Sequence, residues 1–356
     1  MLARLARTAV ALLVALVIFA VAGEVLARAF DIVDRLNGYN RTLVVPGPSV
    51  DLPYLLRPGL HTSVFGTDVR IDRLGFRGPD VDPVPAPGVQ RVLVVGDSVV
   101  FGQGMSEDET IAGVLARELN AAGRGRWETV NLGVFGYDAV SEVRLLELRG
   151  LALAPKVVVV GTSLNDYDVT PTLNPLGFLV RKDLGEREPR LVERSEFFAL
   201  LRWLVSFARG KLWYQIEGRA EEARVDRLRN GAPEPGRLVA AERVVEEQHL
   251  RFYRDPEPAY WNRLRGAFAD FARLGREHGF RVLIAIFPEE YQLTRPDPDL
   301  TPQRRLLEVC REAGLACLDL QPAFVAAGGE LFQDLMHPNA RGHAVAGAAV
   351  ARALLD

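Results

Sequence analysis

Apolar and polar positions follow two rhythms along most of this chain. Segments of strand length recur at Val92–Val95, Thr129–Leu132, Val157–Val160, Arg281–Phe287 and Leu315–Leu320, the first and third of them unbroken apolar runs. The segments between them place apolar residues at helical spacing instead. Ile111, Val114, Leu115 and Leu119 form one such stripe, ending near Gly123 and preceded by Ser106-Glu107-Asp108-Glu109, the spacing of a helix capping box. Val140–Leu153 reads as a second helix, closed by Pro155. Trp261, Leu264, Phe268 and Phe271 share one face of a third, Pro302–Ala313 is helical in pattern, and Gly342 leads into an alanine-rich terminal helix. Val92–Val95 and Val157–Val160 read as continuous apolar runs, so both faces of those strands are buried. Strand and helix in alternation then require a parallel sheet covered by helices on both sides.

Three stretches depart from this rhythm. Arg4 and Arg7 precede Ala9–Gly23, which carries no charge before Glu24. Positive residues ahead of an apolar segment stay on the cytoplasmic side, so the chain beyond them crosses the membrane. Ala20-Val21-Ala22 offers a cleavage site, but Val25–Phe30 continues without helix breakers and favours an uncleaved transmembrane anchor over residues 1–30. Residues 31–89 form a proline-punctuated, membrane-proximal arm, in which Thr67–Asp72 alternates as a strand and turns at Leu74–Gly78. The arm is expected to pack on the following domain as a structural hairpin. Residues 90–356 make the main domain, interrupted over about 167–258 by an insertion too long for an ordinary connection. Within it Phe197–Phe207 reads as an apolar helix, Trp203, Trp213 and Tyr214 as a small core rather than a substrate groove, and Glu217–Arg229 as a solvated face.

With 356 residues, 48% of them hydrophobic and 25% charged, the chain can bury a sizeable core, and its net charge of -3 gives no sign of nucleic-acid binding. Candidate chemistry lies at two places. Val92–Gly104 runs from a strand into Gly96-Asp97-Ser98, with glycines again at Gly102 and Gly104, which puts a hydroxyl at the sheet rim where α/β folds bind ligands. Far along the chain, Asp334 precedes His337 by three residues, and Pro338 keeps His337 in an extended or turn conformation. A serine needs a base to take its proton, and the base needs a carboxylate to set its tautomer. There is no His-Glu-x-x-His or Cys-x-x-Cys ligand set, no phosphate-loop lysine and no dinucleotide glycine spacing, so neither a metal nor a nucleotide cofactor is expected. His61 has no evident partner, and His343 reads as a packing or capping residue. Cys310 and Cys317 are the only cysteines, and in an exported chain they are candidates for a disulfide.

These residues together resemble the SGNH, or GDSL-type, hydrolases. The first block is similar to Gly96-Asp97-Ser98 with Gly102, the second to Asn131–Tyr137, the third to Asn165-Asp166 after its strand, and the last to Asp334, His337, Pro338 and Asn339. They fall in the family's order across residues 92–343. The resemblance implies a three-layer α/β/α sandwich with a parallel, flavodoxin-like sheet, no cofactor, and a serine mechanism. It makes Ser98 the nucleophile, His337 the base and Asp334 its orienting partner, with an oxyanion hole formed by the backbone N–H groups of Ser98 and Gly136 and the side-chain amide of Asn165. One position departs from the pattern: Ser163 stands where the family's third block usually has glycine, with Gly161 two residues earlier. Gly75-Phe76-Arg77-Gly78 is similar to an element ahead of the catalytic domain in membrane-anchored relatives. What the resemblance implies is a membrane-anchored bacterial esterase of the inner membrane, with its catalytic domain in the periplasm or outside the cell, acting on small acyl esters such as acetyl groups on envelope carbohydrate. Two alternatives stand beside it. An O-acyltransferase acting on envelope glycan would use the same residues, whereas a non-catalytic glycan-binding scaffold would have no need of a complete proton-transfer chain.

Overall fold

The computed structural model describes residues 2–30, 32, 43–64, 66–173, 179–180, 195–198, 200–201, 204–205 and 237–356. Its contacts divide the chain into two compact units, residues 1–41 with 172–240 and residues 42–171 with 241–356. In the first unit, α1 (Leu2–Ala29) includes a stretch, Arg7–Ala29, long and apolar enough to cross a membrane, with mean hydropathy 2.7. Near its end, Glu24 accepts hydrogen bonds from Ser195 Oγ (2.6 Å) and Phe197 N (2.9 Å), and Phe19 packs edge-on against the Phe197 ring. Residues 196–198, 200–201 and 204–205 are helical, overlapping the apolar helix expected over Phe197–Phe207. Trp203, Trp213, Tyr214 and the charged stretch 217–229 lie outside the described residues.

The second unit opens with two antiparallel hairpins, β1 (Val44–Ser49) with β2 (Leu52–Leu56) and β3 (His61–Val64) with β4 (Thr67–Arg70). His61 does have a partner, Asp68 across the second hairpin, at 2.8 Å. Five parallel strands come next: β5 (Val89–Gly96), β6 (Arg126–Gly133), β7 (Val157–Thr162), β8 (Arg281–Ile286) and β9 (Ala316–Asp319). They pair in the order β9-β8-β7-β5-β6. This is the flavodoxin-like order, which reverses direction between β5 and β7 and so opens a crevice at their carboxyl ends.

Alternate residues of each strand face opposite layers. Val92, Val94, Val157, Val159, Leu283 and Ala285 pack with the buried faces of α3 (Ile111–Ala121), α8 (Gln321–Ala327) and α9 (Ala340–Leu355). The opposite layer is built from α4 (Ala139–Leu145), α6 (Pro258–His278) and α7 (Thr301–Ala313), with α5 (Arg237–Arg254) leading into α6. Leu264, Phe268 and Phe271 are buried as their spacing predicts, whereas Trp261 is only half-buried.

Local signals shifted by a few residues. The capping box at Ser106–Glu109 closes a single 3-10 turn, and Thr110 caps α3 through its Oγ1, which accepts from Gly113 N at 3.2 Å. Helix α4 is followed by a wider turn at Leu146–Gly150 and a 3-10 turn at Leu151–Leu153, closed at Ala154, whose φ of 49° sets up the break before Pro155. The terminal helix starts ahead of Gly342, capped by Asn339, which accepts from Arg341 N and Gly342 N at 3.0 Å each. A disulfide joins Cys310 and Cys317 across the Gly314 turn.

Candidate active site

Strand β5 delivers the chain to Asp97, whose Oδ1 accepts from Val99 N at 2.8 Å and caps the one-turn helix α2 (Ser98–Phe101). Gly102, at φ 78°, ends that turn in the left-handed region. The helix lies directly on the strand ends because a row of glycines makes room for it. Gly96 is in register with Gly133 of β6 and with Gly161 of β7. A Cβ on Gly96 or Gly161 would sit 2.3 or 2.4 Å from Val100 Cγ2, and one on Gly133 would sit 2.1 Å from Phe101 N. Gly161, two residues before Ser163, is thus where this chain needs a glycine for close packing.

Ser98 Oγ and His337 Nε2 are 2.9 Å apart. On the other side of the ring, His337 Nδ1 is 2.8 and 3.0 Å from the two oxygens of Asp334. Asp334 Oδ1 also accepts from Met336 N (3.0 Å) and His337 N (2.8 Å), so the carboxylate and the imidazole share one tight turn. That turn is tied down at several points. Gln333 N donates to His337 O and Glu290 N to Leu335 O, both at 2.9 Å, while Gln333 Nε2 reaches Gln103 O at 2.7 Å, just past helix α2. With Nδ1–H committed to Asp334, Nε2 is left as an acceptor toward the serine hydroxyl.

Burial works against a charged His337. The hydrogen bond and charge of Asp334, with the charge of Asp97 behind them, outweigh burial and raise the imidazole pKa above its ordinary value. Burial likewise opposes charge on Asp334, but its bonds from the His337 ring and two backbone N–H groups hold its pKa below the usual range. His343 behaves differently: burial, with the charges of Arg77 and His337 beside it, pushes its pKa down to about 3.

Gly136 and Asn165 stand on the turns after β6 and β7, the strands flanking β5. Gly136 has φ 76°, a conformation that side chains disfavour. Asn165 is half-buried, and its Oδ1 is buried without a hydrogen-bond partner. The position that departs from the family pattern has a structural task. Ser163 N donates to Asp166 Oδ2 (2.9 Å) across the Asn165 turn, while Ser163 Oγ donates to Asp97 Oδ1 (3.1 Å). The serine therefore ties the Asn165 turn to the cap of helix α2.

Several participants had little or no signal in the sequence. Arg77 is buried, and its guanidinium donates to the carbonyls of Phe101, Gly102 and Met105 while lying 4.6 Å over the Phe101 ring. It thereby satisfies carbonyls that a helix C-terminus leaves orphaned, and its pKa is lowered by burial to about 10. The Gly-Phe-Arg-Gly element was the clue to it. Under the site, Asp97, Glu142 and Asp166 are buried, and both Glu142 oxygens lack partners. Burial, followed by their neighbours' charges for Glu142 and Asp166, raises all three carboxyl pKa values. Among the described residues no group of His, Cys, Asp and Glu is arranged to hold a metal ion. A second buried pair, His249 Nδ1 to Glu289 Oε1 at 2.6 Å, also had no sequence signal.

The parallel sandwich and the serine at its rim define a hydrolase-type α/β protein. The chain belongs to the GDSL-like lipase/acylhydrolase family, whose pattern matches residues 94–345, and the family places it among ester-hydrolysing enzymes. Solved structures similar to it include a lipase/acylhydrolase from Enterococcus faecalis, at 14% identity and TM-score 0.40 over 74% of this chain and 95% of that one. TesA is similar at 16% identity and TM-score 0.41 over 74% and 98%. The acetyl xylan esterase AlAXEase is similar at 12% identity and TM-score 0.41 over 74% and 99%. No curated protein sequence matches the chain.

Proposed function

We propose that this protein is an exported serine esterase that cleaves small acyl esters, acetyl groups on envelope carbohydrate among them, with its catalytic domain held outside the inner membrane by α1. The observation that carries the catalytic reading is the unbroken line from Ser98 Oγ through the His337 ring to Asp334. Ser98 Oγ attacks the ester carbonyl carbon as its proton passes to His337 Nε2. Asp334 stabilises the imidazolium that forms, and the N–H groups of Ser98 and Gly136 with the Asn165 amide receive the negative charge on the carbonyl oxygen. His337 then returns the proton to the leaving alcohol, and water, activated by the same imidazole, releases the acid from the acyl-enzyme.

Export is supported by Arg4 and Arg7 ahead of an apolar helix and by the Cys310–Cys317 disulfide, which suits an oxidising compartment. The test is hydrolysis of a short-chain chromogenic ester and of an acetylated glycan by the chain and by Ser98→Ala. Acetate release that disappears in the variant supports hydrolysis by Ser98. Acetylated glycan product without acetate release replaces the esterase by an acyltransferase, and equal activity in the variant refutes the serine mechanism.

A further inference from the structure

Tyr54 of β2 lies in the arm, 81 residues before Phe135 in the turn that carries Gly136, and its side chain is fully buried. Its hydroxyl donates to Phe135 O at 2.6 Å. The tyrosine is itself anchored, since the Tyr137 hydroxyl donates to the Tyr54 carbonyl and the two rings meet edge to face at 5.2 Å. A Cβ on Gly136 would lie 3.0 Å from the Tyr54 hydroxyl oxygen, so the phenol is seated against the glycine.

Phe135 and Gly136 are the central residues of a turn closed by Tyr137 N donating to Val134 O at 3.2 Å. With Gly136 at φ 76°, the turn has the type II arrangement. Types I and II differ by reversal of the central peptide, here the one joining Phe135 to Gly136. In a planar trans peptide the carbonyl and the N–H point in opposite directions. A hydrogen bond that holds Phe135 O therefore also decides where the Gly136 N–H points. Glycine leaves both orientations sterically open, so the neighbouring structure must make the choice.

We propose that Tyr54 is a positioning residue for the reaction: its hydroxyl locks the Phe135–Gly136 peptide so that the Gly136 N–H is aimed at the developing oxyanion. The arm is on this account part of the catalytic apparatus. The inference rests on the reading of Gly136 as an oxyanion donor.

The test uses the full chain in detergent, with Tyr54→Phe, Tyr54→Ala and Ser98→Ala, and a small alkyl fluorophosphonate as probe. In the labelling step the Ser98 Oγ–P bond forms, the P–F bond breaks, fluoride leaves and the hydroxyl proton passes to His337. Charge develops on the phosphoryl oxygen as it does on an ester carbonyl. Tyr54→Phe keeps the ring and removes only the hydroxyl. We expect it to label about five- to tenfold more slowly, short of the roughly 100-fold or greater loss when an oxyanion donor is removed outright. The pH midpoint of labelling is expected to stay where it is in the parent, because His337 and Asp334 are untouched. A Tyr54→Phe rate equal to the parent's, with loss only in Tyr54→Ala, overturns the proposal in favour of ring packing. A displaced midpoint overturns it too, by placing the effect on His337. Failure of the parent to label at Ser98 removes the serine reading itself, a result distinct from either.

Discussion

Gly133→Ala isolates the effect of the glycine row on catalysis. The added Cβ would sit 2.1 Å from Phe101 N, 2.6 Å from Val100 C and 2.7 Å from Phe101 Cα, where ordinary contact begins near 3.4 Å. All three are backbone atoms, so no side chain can rotate away to relieve the overlap. Helix α2 must lift by roughly 1 Å, taking Ser98 with it, and a displacement of that size costs on the order of 100-fold in rate. Overpacking at a buried strand end should also cost about 1–3 kcal/mol of stability. The assay is kcat on a chromogenic ester at saturating substrate, with a thermal melt to show that the variant is folded. Gly266→Ala is the matched control. That glycine lies in α6 with no atom within 4 Å of its would-be Cβ, so the substitution should leave kcat unchanged and add about 0.5–1 kcal/mol through helix propensity. A folded Gly133→Ala chain with kcat within about twofold of the parent would refute the claim that the row sets the position of Ser98.

Two further predictions concern protonation. The rate constant kcat/KM should rise with pH as His337 becomes neutral, with a midpoint above the ordinary imidazole value of 6.5, because Asp334 favours the charged ring. Asp334→Asn should lower both the midpoint and the rate; a midpoint that stays in place would show that Asp334 does not set it. The raised His337 pKa stabilises the fold below the unfolded-state value, and this contribution disappears as pH climbs through the folded-state value. For the buried Glu142 the folded-state pKa is also raised, so the folded chain holds a proton that the unfolded chain releases, and stability falls as pH rises above about 4.5. Glu142→Gln removes that dependence. Its melting temperature should gain on the parent's as pH is raised from about 5 to 9, and parallel curves would show that the carboxyl is not the source.

The layered fold was legible because strands buried on both faces must read as unbroken apolar runs, and amphipathic helices must show a stripe. Val92–Val95 and Val157–Val160 could hardly be anything else. The proximity of Asp334 and His337 was legible because three residues can share one turn, whereas the proposed roles of Ser98, His337 and Asp334 came from the family resemblance together with the side-chain types that proton transfer needs. Helix starts were less legible: Thr110 took over the cap that Ser106 had suggested, and the terminal helix begins ahead of Gly342, where the Asn339 side chain meets free backbone N–H groups.

By itself, the sequence determined the parallel α/β layering, the apolar amino-terminal segment and the residue types of the candidate site, because each arises from local periodicity or from chemistry that names its own residues. Only the tertiary structure decided that Gly96, Gly133 and Gly161 stand in one row, that Ser163 bonds to Asp97, that Arg77 holds the end of helix α2 and that Tyr54 holds the Phe135 carbonyl. These contacts join residues far apart in the chain. No local pattern encodes such a pairing, because a buried hydroxyl or guanidinium acquires its role only when folding brings an unsatisfied backbone group within reach of it.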